Sequence, residues 1–294
     1  MGELSGTTIM CLLLAAAGCV ALPLSTLFIF KKKTNAEWFP FFAGMVSYLF
    51  FVVMLEQMIH MLCMGTNNPI SNMMEQYPFV YAAYLCVTAA LFEEGGRYFL
   101  FRILLKKKRG RESAVTFGIG FTIIETLSVI MTILGMVFVA ITIKDGGVEA
   151  YLSGVAPENL AETKEAVQNF IGTNPANFLV PFIERIPSLL TSIGLSIFVF
   201  AAVWEKRMIL FGAAIGLHIL QTLSWSFYQT GILNHTVVVE ITAIAVSLVI
   251  GYFAWKIYKR LPQSDLPQKE KKNGEKRMKK CINWAMFLNK IKIK

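Results

Sequence analysis

The chain has 294 residues, of which 55% are hydrophobic and only 16% are charged, and its mean hydropathy is +0.56. This composition excludes a soluble globular enzyme and is typical of a polytopic membrane protein. The formal net charge of +9 comes from short basic clusters between apolar stretches. In that arrangement the basic residues indicate membrane topology and contact with the headgroups of a lipid bilayer, not a nucleic acid partner.

Seven segments are long enough to cross a membrane as helices. Crossing about 30 Å of hydrocarbon takes about 20 helical residues. We therefore predict an all-α fold, a polytopic membrane protein with about seven transmembrane helices. The predicted spans lie, in chain order, near residues 7–30, 38–64, 79–105, 114–143, 177–203, 208–230 and 236–257.

The basic clusters predict the orientation of these helices. Lysines and arginines follow the first, third, fifth and seventh spans, whereas the other loops, including a long one at 144–176, are neutral or acidic. Because basic loops stay in the cytoplasm, the N-terminus is predicted outside and the C-terminus inside. The chain is thus divided into a membrane-embedded helical domain at residues 1–258 and a basic cytoplasmic tail at 259–294.

The predicted spans contain nine ionisable residues that matter for function. Each would cost about 2.5–3.5 kcal/mol at the bilayer centre, so the set would cost on the order of 20 kcal/mol if it faced lipid. These side chains are therefore expected to face one another in the protein interior. They are Glu56, His60, Glu93, Glu94, Arg97, Glu125, Glu184, Arg185 and His218.

The densest group is Glu-Glu-Gly-Gly-Arg at residues 93–97, near the middle of the third span. Glu93 and Arg97 are four residues apart and can pair on one helix face. Neighbouring residues differ by about 100° in direction, so we expect Arg97 to hold one glutamate and leave the other available. Two close carboxylates also suit a general base or acid. The alternative is a buried ion pair that only holds helices together.

The depths of other ionisable residues match this group. At 1.5 Å per residue, Glu125 lies about 17 Å and His218 about 15 Å from the inner ends of their helices, which is near mid-membrane. We expect both to meet the glutamates in one cavity, although His218 is equally compatible with a packing role. The remaining residues are expected to form the outer wall of this cleft: Glu56, His60, Glu184 and Arg185.

The order of these motifs resembles the YhfC-type intramembrane peptidases. That family is similar to the glutamic intramembrane proteases, which include CAAX-prenyl proteases, bacteriocin-processing enzymes and PrsW-type site-1 proteases. The resemblance implies an integral protein of the bacterial plasma membrane that hydrolyses peptide bonds. The matching elements, spread over residues 38–258, are Glu93-Glu94-x-x-Arg97, Gly118-x-Gly120-x-x-x-x-Glu125, Glu184-Arg185 and His218.

The resemblance also implies a mechanism and a substrate, a membrane-associated peptide or protein. A glutamate of the 93–94 pair would deprotonate a water that attacks the peptide carbonyl. His218 would stabilise the oxyanion, Arg97 would orient the glutamates, and Glu125 would line the site. No metal cofactor is expected, because a metal needs about three protein ligands and the spans offer only two histidines, His60 and His218.

Two positions depart from the family pattern. Ser192 stands where a histidine is expected, and Thr222 stands where an acidic or amide residue is expected after His218. A hydroxyl donates hydrogen bonds but is not a base near pH 7 without activation. The chain therefore resembles a divergent member of the family, and two other functions stay open. One is a catalytically impaired relative that acts as a membrane peptide binder, immunity or scaffold protein; the other is a proton-coupled transporter.

Overall fold

The computed structural model describes residues 5–65, 67–106 and 110–263. No β-strand occurs among these residues, and the prediction of an all-α fold is confirmed. A π-helical segment, Tyr48–Glu56, joins the second and third helices. The α-helices of the described residues are α1 (Gly6–Thr34), α2 (Phe39–Ser47), α3 (Gln57–Met64), α4 (Pro69–Gln76), α5 (Pro78–Ile103), α6 (Glu112–Leu152), α7 (Leu160–Gly172), α8 (Val180–Trp204), α9 (Met208–Gln229) and α10 (Thr236–Arg260).

Six stretches within the described residues are long and apolar enough to cross a membrane. They match the predicted spans except the third, and the second combines α2, the π-helical segment and α3. Helix α5 has 26 residues, a length of about 39 Å, but its charged second half keeps it out of this set. The count of seven spans and the orientation of the termini stay predictions. The predicted tail lies outside the described residues beyond position 263.

Local sequence signals account for the ends of α1. Ser5 caps its N-terminus by accepting a hydrogen bond from the Thr7 N–H at 3.2 Å. Asn35 ends the helix in a left-handed conformation with φ of 51°. The lysines at 31–33 lie in the last turn, where the helix dipole favours positive charge. The helix ends at Thr34, a few residues past the predicted end of the span at residue 30.

The segment 144–176, predicted as a loop, is mostly helical. Helix α6 continues to Leu152 with a break at Gly147, whose φ of 81° is favourable only for glycine. Helix α7 then packs Val167, Phe170 and Ile171 against a cluster formed with α1 and α6. These three apolar residues recur at helical spacing, which is the signal that the loop assignment missed.

Helix α8 is the central helix of the bundle. In the apolar 18-residue part of Pro175–Trp204, 67% of the residues are buried, against at most 33% in the corresponding parts of the other five apolar stretches. It packs on α1, α5, α6, α9 and α10. Large apolar side chains elsewhere point outward, such as Phe138 with 69% of its surface exposed. An exposed apolar surface of this kind suits contact with lipid tails. Helix α8, by contrast, lies in the interior and contacts most of the other long helices.

Two glycines let α6 approach its neighbours closely. A methyl group at Gly118 would lie 2.7 Å from Cα of Ile193 in α8, and one at Gly120 would overlap the carbonyl oxygen of Phe41 in α2. Small residues are the usual means of bringing membrane helices together. The positions of α2 and α8 beside α6 therefore depend on these two residues.

Gly120→Ala is expected to lower the free energy of unfolding by about 1–3 kcal/mol, because the added methyl overlaps backbone, which cannot move aside easily. Gly135→Ala in the same helix is the matched control, since no atom lies within 4 Å of its added methyl. Thermal unfolding in detergent, followed by circular dichroism, compares the two variants. Equal melting temperatures would contradict the close packing of α2 on α6.

Candidate active site

Four ionisable side chains from α5 and α9 meet inside the bundle and form a candidate catalytic cluster, named the catalytic cluster from here on: Glu93, Glu94, Arg97 and His218. Glu94 is 0%, Arg97 1% and His218 5% exposed. Glu93 keeps 19% of its side chain exposed. The cluster is thus almost completely removed from solvent, with Glu93 as its most accessible member.

Arg97 contacts both glutamates of the cluster. Its Nη1 lies 2.5 Å from Glu94 Oε1, and its Nη2 lies 3.2 Å from Glu93 Oε2. Nη2 also donates to the hydroxyl of Ser192 at 3.4 Å, and the guanidinium lies over the ring of Phe121. The expectation that Arg97 holds only one glutamate was wrong. The planar guanidinium presents separate N–H groups that reach two side chains pointing in different directions.

His218 contacts the same two carboxylates. Its Nδ1 lies 2.7 Å from Glu94 Oε1, and its Nε2 lies 3.8 Å from Glu93 Oε1. A carboxylate that is paired with an arginine only accepts hydrogen bonds, so we assign the donated proton to Nδ1. Glu94 is therefore held by two partners, whereas Glu93 Oε1 is too far from the histidine for a hydrogen bond.

A cavity of about 440 Å³ opens beside the cluster. Glu93, Arg97 and His218 line it, while Glu94 lies behind them and forms no part of the wall. The rest of the wall comes from α6, α8, α9 and α10. A mainly apolar cavity of this size with a few polar groups is typical of a small ligand or peptide site.

Glu125 lines this cavity, but its partners come from α8. Its Oε1 accepts hydrogen bonds from Arg185 Nη1 at 2.9 Å and from Ser188 Oγ at 2.7 Å. Glu184 also lines the cavity, and so does Glu240 of α10, whose carboxyl group lies close to that of Glu184. The sequence analysis missed Glu240, although it lies within the seventh predicted span and is ionisable.

Glu56 and His60 pair with each other but do not line this cavity, contrary to the expected outer wall. Glu56 Oε1 lies 3.4 Å from His60 Nε2, and His60 Nδ1 shares a hydrogen bond of 2.8 Å with the Tyr84 hydroxyl. Both residues come at or after the end of the π-helical segment Tyr48–Glu56. Their depth in the membrane predicted this wall, but depth does not say which face of a helix points toward a cavity.

Most of the chain matches one known protein family. Residues 18–243 match the family described as YhfC intramembrane metalloprotease. The chain belongs to this family. It is also 29% identical over 247 residues to the "Uncharacterized membrane protein YhfC" of Bacillus subtilis (strain 168), a match that covers 83% of this chain and 94% of the relative. No solved structure gives a significant match.

The YhfC family assignment confirms the resemblance inferred from the motifs. Together with the six apolar stretches, it makes the chain an integral membrane protein that lies in a lipid bilayer. The Bacillus relative supports a location in the bacterial plasma membrane. The family description names a protease, so the chain belongs with intramembrane proteases by family, while its mechanism depends on the residues of its own site.

The two positions where this YhfC-family chain departs from the expected pattern both border the site. Ser192 donates a hydrogen bond to the Gly118 carbonyl at 3.1 Å while it accepts one from Arg97. Thr222 lines the cavity, and its hydroxyl donates to the His218 carbonyl at 3.1 Å. The serine thus supports Arg97, and the threonine is occupied by the backbone of its own helix.

The family description includes a metal, and the catalytic cluster fits one. Glu93, Glu94 and His218 each offer a ligand atom within 4.8 Å of the others, and three protein ligands plus an open position is the arrangement of catalytic zinc sites. Oε2 of Glu94 is buried without a hydrogen-bond partner, which suits a metal ligand. A metal is therefore possible here, and the prediction of no cofactor is not confirmed. His60, considered earlier as a ligand, lies outside this group.

Proposed function

We propose that the chain hydrolyses peptide bonds of membrane-associated substrates, with Glu93 as the group that activates water. The observation that carries this proposal is the unequal surroundings of the two glutamates. Glu94 is fully buried between Arg97 and His218. Glu93 lines the cavity and keeps one oxygen without a hydrogen bond to the histidine. A general base needs this kind of access to its water.

In the proposed reaction Glu93 takes a proton from the water as the oxygen attacks the substrate carbonyl. Protonated Glu93 then gives that proton to the departing amine as the C–N bond breaks. His218, oriented by its bond to Glu94, would donate an Nε2–H to the oxyanion. This role requires an imidazolium, which balances the cluster at two negative and two positive charges. Arg97 and Glu94 act as positioning residues.

Metal-dependent hydrolysis is the second candidate, favoured by the family description and by the unpartnered Oε2 of Glu94. Glu93, Glu94 and His218 would hold the ion, which when bound supplies Lewis-acid activation of water. Arg97 argues for the first candidate, because its charge already pairs with both carboxylates. We therefore favour water activated by glutamate.

His218→Ala is expected to reduce cleavage by about 10²–10³-fold, the loss typical of removing one oxyanion donor. Membrane and secreted peptides are compared between cells that express the wild type, the variant or no protein, at matched membrane levels. His235→Ala, which removes an exposed histidine, is the matched control. If no product depends on the protein, the chain is a membrane peptide binder or scaffold instead; proton movement across vesicles would favour a transporter.

Removing metal from the purified protein separates the two catalytic candidates. We expect cleavage to survive treatment with 1,10-phenanthroline followed by dialysis, because the proposed base is a side chain. Metal content measured by mass spectrometry serves as the control for complete removal. Loss of activity that returns when zinc is added would favour the metal-dependent reaction.

A further inference from the structure

A second group of acceptors lines the same cavity, away from the catalytic cluster. Glu184 of α8 and Glu240 of α10 both line the cavity, with their carboxyl groups close together. Two neighbouring carboxylates repel each other when both are ionised, and a cation placed beside them relieves that repulsion. Among the described residues, neither forms a salt bridge with a lysine or arginine, because the adjacent Arg185 is bound to Glu125.

The side chains of the cavity wall include more acidic groups than arginines. Four glutamates line the cavity against two arginines. Arg97 is shared by the two glutamates of the catalytic cluster, and Arg185 is taken by Glu125. Among the described residues, the Glu184–Glu240 pair is the acidic group on this wall that forms no salt bridge. Negative charge in apolar surroundings is poorly screened and attracts a cation strongly.

Two neutral acceptors on the same wall also lack partners. Thr191 is only 8% exposed, and its Oγ1 is buried without a hydrogen bond. Gln221 donates its Nε2 to the Ala243 carbonyl at 3.3 Å and leaves its Oε1 unpaired. A buried oxygen without a partner costs about 1–3 kcal/mol. These atoms therefore indicate an occupant of the cavity that donates hydrogen bonds.

We propose that this part of the cavity binds a lysine or arginine side chain of the substrate and thereby selects the cleavage position. Glu184 and Glu240 pair with the cation, and Gln221 accepts one of its N–H groups. Thr191, about 10 Å further along α8, accepts a hydrogen bond from the part of the substrate between the cation and the scissile bond. A cationic side chain is the one peptide group that supplies both positive charge and several donors. This inference rests on the proposed peptidase function.

Helix α8 sets the distance between the Glu184–Glu240 pair, which we call the cationic site because it binds the cation, and the catalytic cluster. Ser192, which is bonded to Arg97, follows Glu184 by eight residues, or about 12 Å along the helix axis. An extended peptide advances about 3.3 Å per residue. The lysine or arginine is therefore expected three or four residues from the scissile bond.

Binding of synthetic membrane peptides to the full-length protein in nanodiscs tests this site. Labelled apolar peptides of about 20 residues carry lysine, glutamine or glutamate at one of six successive positions, and fluorescence anisotropy reports their affinity. We expect lysine to bind about tenfold more tightly than glutamine at one or two of these positions, and glutamate to bind most weakly. Equal affinity for lysine and glutamine at every position would overturn the proposal.

Variants locate the preference on the residues named. The double variant Glu184→Gln with Glu240→Gln is expected to lose the lysine preference, measured as the ratio of the affinities for the lysine and glutamine peptides. Glu162→Gln with Glu165→Gln is the matched control, because it removes two exposed carboxylates of α7. Gln221→Met keeps a similar volume, removes the unpaired acceptor, and should lower the preference several-fold even if the double variant fails to fold. An unchanged preference in both cavity variants would overturn the assignment.

Glu93→Gln separates this inference from the proposed function, because Glu93 belongs to the catalytic cluster and forms no part of the cationic site. The variant is expected to bind the lysine peptide with the wild-type preference and to cleave nothing. A lysine preference with no cleavage by the wild type would overturn the peptidase function and keep the site. If the wild type cleaved peptides equally well with and without a lysine, the cationic site would be overturned and the proposed peptidase function would be kept.

Discussion

Glu93→Gln is expected to reduce cleavage by about 10²–10⁴-fold, the contribution typical of a general base. The glutamine side chain has the same shape and keeps an oxygen beside Arg97 Nη2, so the fold should be kept. It cannot take a proton from water, and the reaction should stop at that step. The measurement is the rate of product formation at matched membrane levels, with thermal unfolding as a check on folding.

Glu94→Gln provides the comparison within the same pair. Because Glu94 is buried between Arg97 and His218, its loss should lower stability as well as cleavage. Glu93→Asp retains a carboxylate at a shorter reach and should keep part of the activity that Glu93→Gln loses. If Glu93→Gln cleaved at the wild-type rate while Glu94→Gln did not, the assignment of the base would be reversed.

Arg97→Met is expected to lower the free energy of unfolding by about 3–5 kcal/mol, because it leaves buried carboxylates without their cation. The guanidinium pairs with Glu93 and Glu94 and lies 3.8 Å from the ring centroid of Phe121. Methionine fills a similar volume but supplies no charge. Thermal unfolding in detergent and the amount of protein in the membrane both report this effect.

Arg102→Met is the matched control for this substitution. Arg102 lies on the same helix, is exposed, and bonds only to the hydroxyl of Tyr98 at 3.0 Å among the contacts seen for it. Its replacement should change stability by no more than about 0.5 kcal/mol. Adding Glu94→Gln to Arg97→Met should recover part of the loss by removing one uncompensated charge. No recovery would contradict an electrostatic origin.

The fold was largely predictable because long apolar stretches, which form membrane-spanning helices, can be recognised directly in the amino-acid sequence. The six apolar stretches and the all-α class followed from it. The helical character of 160–172 and the π-helical segment Tyr48–Glu56 were not predicted. The first has an amphipathic pattern too short to stand out between two spans. The second changes the turn of the backbone without any change in hydropathy.

Within the site, the sequence by itself determined which residues had to be buried together. The spacing of Glu93 and Arg97 on one helix predicted their pairing, and depth along the helix placed His218 at the same level. The approach of Glu184 to Glu240 was decided only by the tertiary structure, because contacts between helices depend on how each is rotated about its axis. That rotation is set by close packing, such as α6 against α8 at Gly118, which one-dimensional spacing does not contain.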